Sequence, residues 1–166
     1  VDGLKTGHTA AAGYCLVATS KRDFPQLGQR RLLSIVLGTA SENARANESQ
    51  KLLNWGYTAF DAVKLFDAGQ PVATPDIWKG KQSQLKIGRA EPIVVTVPSG
   101  SAGKVSTQVV RQEPLLAPIA QGQQVGTLKV MLGEQSVAEV PLVALEGVEQ
   151  AGLLGRAWDA IRLWIK

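Results

Sequence analysis

The stretch that decides the fold is residues 13–38, GYCLVATSKRDFPQLGQRRLLSIVLG. Its two apolar runs, residues 13–20 and 31–38, are short and bounded by turn residues, which is typical of buried strands. The segment between them, residues 21–28, is polar and contains proline and glycine, so it predicts an exposed hairpin loop. Because a short loop joins them, the two runs are expected to pair as antiparallel neighbours.

The opening segment, residues 1–9 (VDGLKTGHT), predicts a third strand beside this pair. Ser41 then begins a stretch to about Phe60 that is rich in helix formers and has helical spacing. We interpret Ser41 as the capping residue of this helix, because a serine hydroxyl can accept a hydrogen bond from a free backbone amide of the first turn. Residues 1–61 therefore predict an antiparallel sheet fragment closed by one helix.

After Asp61 the sequence changes to short β-rich runs separated by glycine and proline. Several short strands without a helical period predict a small all-β sandwich over residues 62–148. Residues 149–166 return to helical spacing, with apolar side chains on one face and basic side chains on the other. The predicted fold class is thus α+β: a sheet fragment with its closing helix, an all-β sandwich and a terminal amphipathic helix.

Composition limits the function classes. With 45% hydrophobic and 19% charged residues, the chain has the composition of a folded protein. Its net charge of +4 is too small to indicate a nucleic-acid partner, and none is predicted. Cys15 and His8 are the single cysteine and the single histidine, so neither a disulfide within the chain nor a metal site is expected. No cofactor is predicted, and Cys15 is interpreted as a small buried hydrophobe.

The chain shows no targeting or spanning segment. Its first residues lack the apolar run of a secretory signal, and no stretch of about 18 apolar residues could cross a bilayer. It lacks an initiator methionine and opens inside a predicted strand. We therefore expect these residues to be preceded by the amino-terminal part of a larger protein.

The predicted first strand carries a recognisable motif. Lys-Thr-Gly at residues 5–7 is preceded by Asp-Gly, continues into His8 and Thr9, and is followed by Ala-Gly-Tyr at residues 12–14 and a second apolar strand. With the third strand and the closing helix, this arrangement resembles the low-molecular-mass penicillin-binding proteins, specifically the serine D-alanyl-D-alanine carboxypeptidases. The resemblance extends through the helix segment ESQKLLNWG at residues 48–56.

The resemblance implies a role for each site residue. Lys5 would supply a positive charge that assists proton transfer and orients the substrate, and Thr6 would hydrogen-bond its terminal carboxylate. Gly7 would allow close backbone approach, and the backbone amide of His8 would be one of two oxyanion-hole donors. Arg45 would recognise the free carboxylate of the terminal D-alanine, for which a planar guanidinium is suited.

The family also needs a Ser-x-x-Lys nucleophile and a Ser-x-Asn motif ahead of Lys-Thr-Gly. Ser-x-x-Lys recurs at residues 83–86 and 101–104, and Ser-x-Asn at residues 41–43. We interpret all three matches as coincidences. A nucleophilic serine should begin a helix that places serine and lysine on one face, and Ser41 is interpreted as a helix cap. The nucleophile is therefore expected to be absent, so this chain alone would be inactive and its partner would be a missing N-terminal catalytic segment.

The resemblance also implies substrate, inhibitor and location. The complete enzyme would remove D-alanine from peptidoglycan pentapeptides, react with β-lactam antibiotics and work in the bacterial periplasm. Residues 149–166 predict a helix in the outer surface of the inner membrane, with Trp158 and Trp164 at headgroup depth. The basic residues near anionic lipid would be Arg156, Arg162 and Lys166.

Several alternatives stay open at this point. Arg45 would, in the simplest alternative, be a solvated helix arginine paired with Glu42 or Glu48. His8 is interpreted as structural rather than as a general base, since no nucleophile and carboxylate stand in the sequence to complete a triad. The chain as a whole could instead be a non-catalytic, membrane-peripheral binding or spacer module. A β-lactamase shares the Lys-Thr-Gly strand but does not usually continue into a β module and a membrane helix.

Overall fold

The computed structural model describes residues 1–25 and 27–152 of the chain. It divides into two compact units. The first contains Val1–Val63 with Thr96–Ala102, and the second contains Lys64–Val95 and, among the described residues, 103–152. The amphipathic helix predicted over residues 149–166 lies outside the described residues from position 153 onward.

The first unit is a three-stranded antiparallel sheet with one helix. Its strands are β1 (Leu4–Thr9), β2 (Gly13–Phe24) and β3 (Gly28–Thr39), in the spatial order β1-β2-β3. Helix α1 (Glu42–Ala59) follows the last strand. The predicted set of three strands and one helix is present, and β1 is an edge strand.

The hairpin loop predicted over residues 21–28 is wrong for most of its length. Strand β2 continues to Phe24 and β3 already starts at Gly28, so the polar segment is largely a paired ribbon. The reason lies in α1: the guanidinium of Arg22 lies 4.2 Å from the centre of the Tyr57 ring. A polar segment predicts a loop only where its side chains have no packing partner in the fold. Here Arg22 has such a partner, the Tyr57 ring of α1.

Helix α1 begins at a serine cap. The Ser41 hydroxyl accepts a hydrogen bond from the backbone amide of Ala44 at 3.1 Å, and the Ser41 carbonyl accepts one from the amide of Arg45 at 3.1 Å. The first bond satisfies an amide of the first turn that has no intrahelical partner, and the second is the first regular bond of the helix. The predicted capping role of Ser41 is confirmed.

One face of the sheet is covered by α1. The helix contributes a buried row at four-residue spacing, Ser49, Leu53 and Tyr57, and the Tyr57 hydroxyl donates to the Ser20 carbonyl at 2.7 Å. Burial of a leucine or tyrosine side chain contributes roughly 2 kcal/mol, so this row holds the helix on the sheet. Among the buried residues of the sheet are Ala18, Ser34 and Val36.

The other face of the sheet is apolar and exposed. Leu33, Ile35 and Leu37 alternate with the buried residues of β3 and are 56%, 58% and 70% exposed. Val17 of β2 is the register partner of Ile35, so it lies on the same side. We call the surface formed by these four residues the open face. Contiguous exposed apolar surface of this kind is typical of an interaction surface.

The region after α1 is built of strands. Its all-β content was predicted, whereas the short strands at Pro71–Ala73, Ile77–Trp78 and Leu115–Leu116 were not, because such short strands show no alternating pattern. The described strands are β4 (Phe60–Phe66), β5 (Pro71–Ala73), β6 (Ile77–Trp78), β7 (Ile87–Gly88), β8 (Ile93–Pro98), β9 (Val105–Val110), β10 (Leu115–Leu116), β11 (Gln124–Leu132) and β12 (Gln135–Ala144), and a 3-10 helix spans Ala102–Lys104.

A five-stranded sheet in the order β5-β7-β12-β11-β9 dominates this region. Strands β6 and β10 form a parallel pair, and β4 pairs with β8. The core of the second unit is aliphatic, and its most deeply buried side chains have no exposed surface. They are Leu85, Ile87, Leu128, Val130 and Leu142. Along β11 the buried residues Leu128 and Val130 alternate with half-buried ones, as expected of a strand with one face on a core.

A polar cluster fixes the chain at the entry to β1. The Arg31 guanidinium forms two bonds to the Asp2 carboxylate, at 2.8 and 2.9 Å, and the Thr19 hydroxyl donates to the same carboxylate. The backbone amides of Asp2 and Thr19 extend the ladder, each donating over 3.0 Å to a carbonyl of the opposite segment. Hydrogen bonds from Arg31 and Thr19 lower the pKa of Asp2 from 3.8 to about 2. We call Asp2, Thr19 and Arg31 the Asp2 clamp.

The Asp2 clamp predicts a specific acid sensitivity. Because the pKa of Asp2 is lower in the folded state, its stabilising effect is complete above 3.8 and is lost as the pH falls through about 2. Asp2→Asn should therefore lower the melting temperature at neutral pH, and this difference from the unsubstituted chain should vanish across that window. Thermal unfolding at a series of pH values measures it. Asp23→Asn, at an exposed carboxylate of β2 without an ion pair among the described residues, is the matched control and should show no such trend.

Candidate functional site

The Lys-Thr-Gly sequence lies on the exposed edge of the sheet. Strand β1 pairs with β2 on one side, and no other strand of the described residues pairs with it. All six of its residues are exposed. Within the described part of the chain, the side chains of Lys5 and Thr6 have no hydrogen-bond or ion-pair partner. Both polar groups are thus available to a ligand.

Lys5 and Thr6 lie on opposite faces of the sheet. Lys5 is the register partner of Val17, which places its side chain on the side of the open face. Thr6 is the register partner of Leu16, on the side covered by α1. Since successive side chains of a strand alternate, a ligand reaching both groups has to lie along the edge of β1.

Gly7 has open space around it. A Cβ atom built at this position would approach only the Cβ of Cys15, at 3.9 Å, which is ordinary van der Waals contact. Cys15 itself is half-buried, and its thiol lies 3.6 Å from the Ala12 carbonyl. Cys15 was predicted to be a small buried hydrophobe, and the structure buries it only in part, because it faces a glycine on an exposed edge strand. The packing of the described residues does not require glycine at position 7.

The structure brings Arg45 to the Lys-Thr-Gly strand. One guanidinium nitrogen lies 3.5 Å from the carbonyl oxygen of Gly7, and the other forms a 2.7 Å ion pair with Glu42. Glu48 pairs with Lys51 instead. Of the two carboxylates considered as partners, Arg45 thus uses Glu42, and the same side chain also contacts β1. The Arg45 side chain is only 12% exposed, whereas that of Glu42 is 73% exposed.

An aromatic residue joins His8 to Arg45. The rings of His8 and Tyr14 stack with centroids 3.9 Å apart and an interplanar angle of 26°. The Arg45 guanidinium lies 5.6 Å from the centre of the same tyrosine ring. The His8 side chain thus packs on Tyr14. Tyr14 was missed by the sequence analysis, although its place in the second strand, just across the turn from His8, was a usable signal.

The two downstream Ser-x-x-Lys matches lie outside any α-helix. Ser83 lies in a bend, where its carbonyl accepts a hydrogen bond from the Ile77 amide at 2.9 Å. Ser101 follows a turn and precedes the three-residue 3-10 helix. Neither serine starts an α-helix with its lysine one turn further on.

Two further features of the described residues bear on function. Residues 1–25 and 27–152 contain no helix that is long and apolar enough to cross a membrane. In the same part of the chain, no three His, Cys, Asp or Glu side chains are grouped so that they could hold a metal ion.

The sequence matches known proteins over nearly its whole length. The family model described as "Penicillin-binding protein 5, C-terminal domain" matches residues 60–150. The D-alanyl-D-alanine carboxypeptidase DacC of Escherichia coli is 39% identical over 164 residues, covering 98% of this chain and 40% of that protein. The DacA carboxypeptidase of Haemophilus influenzae is 33% identical over 167 residues, covering 100% of this chain and 42% of that protein. The chain thus spans about two fifths of the length of these relatives.

A solved structure supports the same assignment. Penicillin-binding protein 5 of Haemophilus influenzae superimposes with a TM-score of 0.78 at 31% identity, covering 89% of this chain and 42% of that one. The family model alone accounts for more than half of the 166 residues. The chain belongs to the family of the C-terminal domain of penicillin-binding protein 5, and it corresponds to the carboxyl-terminal part of a low-molecular-mass penicillin-binding protein.

Proposed function

We propose that this chain is part of a serine D-alanyl-D-alanine carboxypeptidase. The complete enzyme removes the terminal D-alanine of peptidoglycan pentapeptides through an acyl-enzyme and is acylated by β-lactams. The observation that carries this proposal is the position of Arg45, whose guanidinium lies 3.5 Å from the Gly7 carbonyl. Gly7 lies on the same strand as Lys5 and Thr6, whose side chains have no polar partner among the described residues. The relatives' names, D-alanyl-D-alanine carboxypeptidases, support the same activity.

In this proposal, residues 1–61 are the C-terminal portion of the catalytic domain. Residues 62–148 form the β domain and residues 149–166 the membrane anchor. The match of the family model to residues 60–150 supports a separate β domain. The site itself then belongs to the first of these three parts.

Arg45 and Thr6 are proposed to bind the carboxylate of the terminal D-alanine. A guanidinium can hold both oxygens of a carboxylate, and a threonine hydroxyl can donate a third bond. The present partner of Arg45 does not prevent this, because Glu42 is largely exposed and ion pairs of this kind are worth about 0–1 kcal/mol. The substrate carboxylate can therefore replace Glu42, or bind beside it, at little cost.

The backbone of β1 is proposed to stabilise the reacting carbonyl. On an edge strand, part of the backbone amides face away from the neighbouring strand. The His8 amide is proposed to donate one of two hydrogen bonds to the oxyanion, an effect worth about 3 kcal/mol in other acyl-transfer enzymes. Gly7 fits this arrangement, since the described packing leaves it free of contacts that would demand glycine. A substrate backbone that passes close to β1 would explain why position 7 is glycine.

The reaction itself needs a serine outside this chain. Its hydroxyl attacks the carbonyl carbon of the penultimate D-alanine, the C–N bond to the terminal D-alanine breaks, and that nitrogen leaves as an amine after taking a proton. Water then cleaves the resulting ester and regenerates the serine. Lys5 is proposed to assist the proton transfers through its positive charge. Because the nucleophile is supplied by other residues, the isolated chain is proposed to be inactive.

The open face is proposed to be where the remaining polypeptide packs. Its side chains are more than half exposed at Leu33, Ile35 and Leu37, although such residues are normally buried in a sheet. The matched relatives are about two and a half times as long as this chain, so they contain ample further residues to cover it. Lys5 projects on this same side, where a serine carried by the covering segment would meet it.

A fluorescent penicillin tests the enzymatic proposal. The complete protein should be acylated, whereas the 166-residue chain alone should not be, because it lacks the nucleophile. Lys5→Ala in the complete protein should slow acylation by about 10²-fold or more, as expected for loss of a group that assists proton transfer. Labelling is measured by gel fluorescence over time, and the control is Lys21→Ala on the same sheet. Acylation of the isolated chain at Ser83 or Ser101 would contradict the proposal and favour a different site.

Polar substitutions on the open face test its covering. In the isolated chain, Leu33→Ser with Ile35→Ser should change stability by less than about 1 kcal/mol in total, because both side chains are exposed. The same change should reduce binding of an apolar dye to the isolated chain. In the complete protein it should lower the free energy of unfolding by about 2–5 kcal/mol, since the side chains are then buried. Leu52→Ser, at an exposed position of α1, is the control. Equal stability of the substituted and unsubstituted complete proteins would mean that the open face stays uncovered.

Residues 149–166 are proposed to attach the protein to the outer face of the bacterial inner membrane, in the periplasm. The sequence places Trp158 and Trp164 on the apolar side and basic residues on the other, the pattern of a helix lying in a membrane interface. The basic side chains, Arg156, Arg162 and Lys166, would lie near anionic headgroups.

Vesicle binding tests this attachment. The chain should bind phosphatidylglycerol-containing vesicles in a salt-dependent manner, and Trp158→Ala with Trp164→Ala should reduce sedimentation with the vesicles by about tenfold or more. Trp55→Ala removes a tryptophan that is exposed on α1 and serves as the matched control. Binding that persists unchanged in the double variant would show that the terminal segment is not the anchor.

A further inference from the structure

We propose that Tyr14 is a positioning residue of this site, whose ring holds the Arg45 guanidinium in the plane needed to receive the substrate carboxylate. The inference rests on the proposed function of Arg45. Tyr14 itself contacts neither the carboxylate nor the reacting atoms. It acts through Arg45 on one side and through the His8 ring on the other.

The backbone around Tyr14 places its ring accurately. The register of β2 against β3 shifts between Tyr14 and Leu16, and such an irregularity changes the direction of a side chain. Gly13 precedes it with a φ of +66°, and a Cβ there would lie 3.0 Å from the backbone of Gly38. Close approach of the two strands therefore requires glycine at position 13.

A side chain ties Tyr14 to the start of the helix that carries Arg45. The Thr39 hydroxyl lies 3.0 Å from the Tyr14 carbonyl and 3.2 Å from the carbonyl of Ser41, the helix cap. It can donate to either oxygen. The backbone of Tyr14 and the start of α1 are thus joined through one residue, which places the tyrosine beside the helix turn that carries Arg45.

The ring contacts explain the orientation of Arg45. Within the described residues its guanidinium has two polar contacts, the exposed Glu42 and the Gly7 carbonyl at 3.5 Å, and the second is at the limit of hydrogen bonding. Two such weak contacts do not fix the orientation of the guanidinium plane of a flexible arginine, so another surface is needed to define it. The Tyr14 ring, 5.6 Å from the guanidinium carbon, is that surface.

The His8 ring completes the arrangement from the other side. It stacks on Tyr14 at 3.9 Å, so Tyr14 cannot rotate away from Arg45 without losing this contact. Within the described residues the Tyr14 hydroxyl has no hydrogen-bond partner, so the ring rather than the hydroxyl carries the role. Phenylalanine should therefore replace tyrosine here, whereas an aliphatic residue should not.

Steady-state kinetics of the complete protein test the inference. The two substrates are a diacetyl-lysyl-D-alanyl-D-alanine peptide with a free terminal carboxylate and the same peptide with that carboxylate amidated. Tyr14→Leu is expected to raise KM for the free peptide on the order of tenfold with a smaller change in kcat, and to reduce the preference for it over the amide. Tyr14→Phe is expected to restore the unsubstituted behaviour. In an Arg45→Ala background, Tyr14→Leu should have little further effect, because the two residues act as a unit.

Each other outcome has a definite meaning. An unchanged preference in Tyr14→Leu, an equal loss in Tyr14→Phe, or an undiminished effect in the Arg45→Ala background would each overturn the inference while leaving the proposed function intact. Failure of the unsubstituted complete protein to hydrolyse the free peptide would overturn the proposed function and the inference with it. If Tyr14→Leu does not fold, Tyr14→Met, which preserves volume with a flexible side chain, takes its place with the same expected results.

Discussion

The register between β1 and β2 is the constraint on which the candidate site depends. It places Lys5 with Val17, Thr6 with Leu16 and His8 with Tyr14. Because side chains alternate along a strand, a slip of one residue would move every one of these groups to the other face. The Asp2 clamp opposes such a slip by fixing the entry to β1 with charged hydrogen bonds. The arrangement of Arg45 around Gly7 and Tyr14 then follows from where α1 begins.

Much of the first unit is readable from local sequence. The Ser41 cap, the helix it starts and the two apolar runs of the sheet are local signals, and the structure has them where they were predicted. The loop predicted over residues 21–28 was wrong because the Arg22 side chain packs on α1, a partner distant in sequence. For the same reason, the Arg45–Gly7 contact depends on a register and a helix start that no short pattern contains. The place of Tyr14 just across the turn from His8 can be predicted from the sequence, whereas the register shift beside it is seen only in the structure.

The sheet of the first unit has two unlike faces. One is closed by the buried row Ser49, Leu53 and Tyr57, and the other leaves aliphatic side chains in contact with solvent. A sheet normally buries its apolar face against another layer. The proposed division of the site follows the same asymmetry, since Lys5 lies on the uncovered side and Thr6 on the covered side. If the proposals hold, the segment that covers the open face is also the one that brings the nucleophile to Lys5.

The exposure of β1 has a consequence for the behaviour of the molecule in solution. An unpaired strand edge is a template on which another chain can add a strand, and natural proteins oppose this with charged residues, especially lysine, on edge strands. Lys5 places such a charge in the middle of the exposed edge. The group proposed to assist catalysis thus also acts against aggregation, so that loss of its charge would affect colloidal behaviour as well as chemistry.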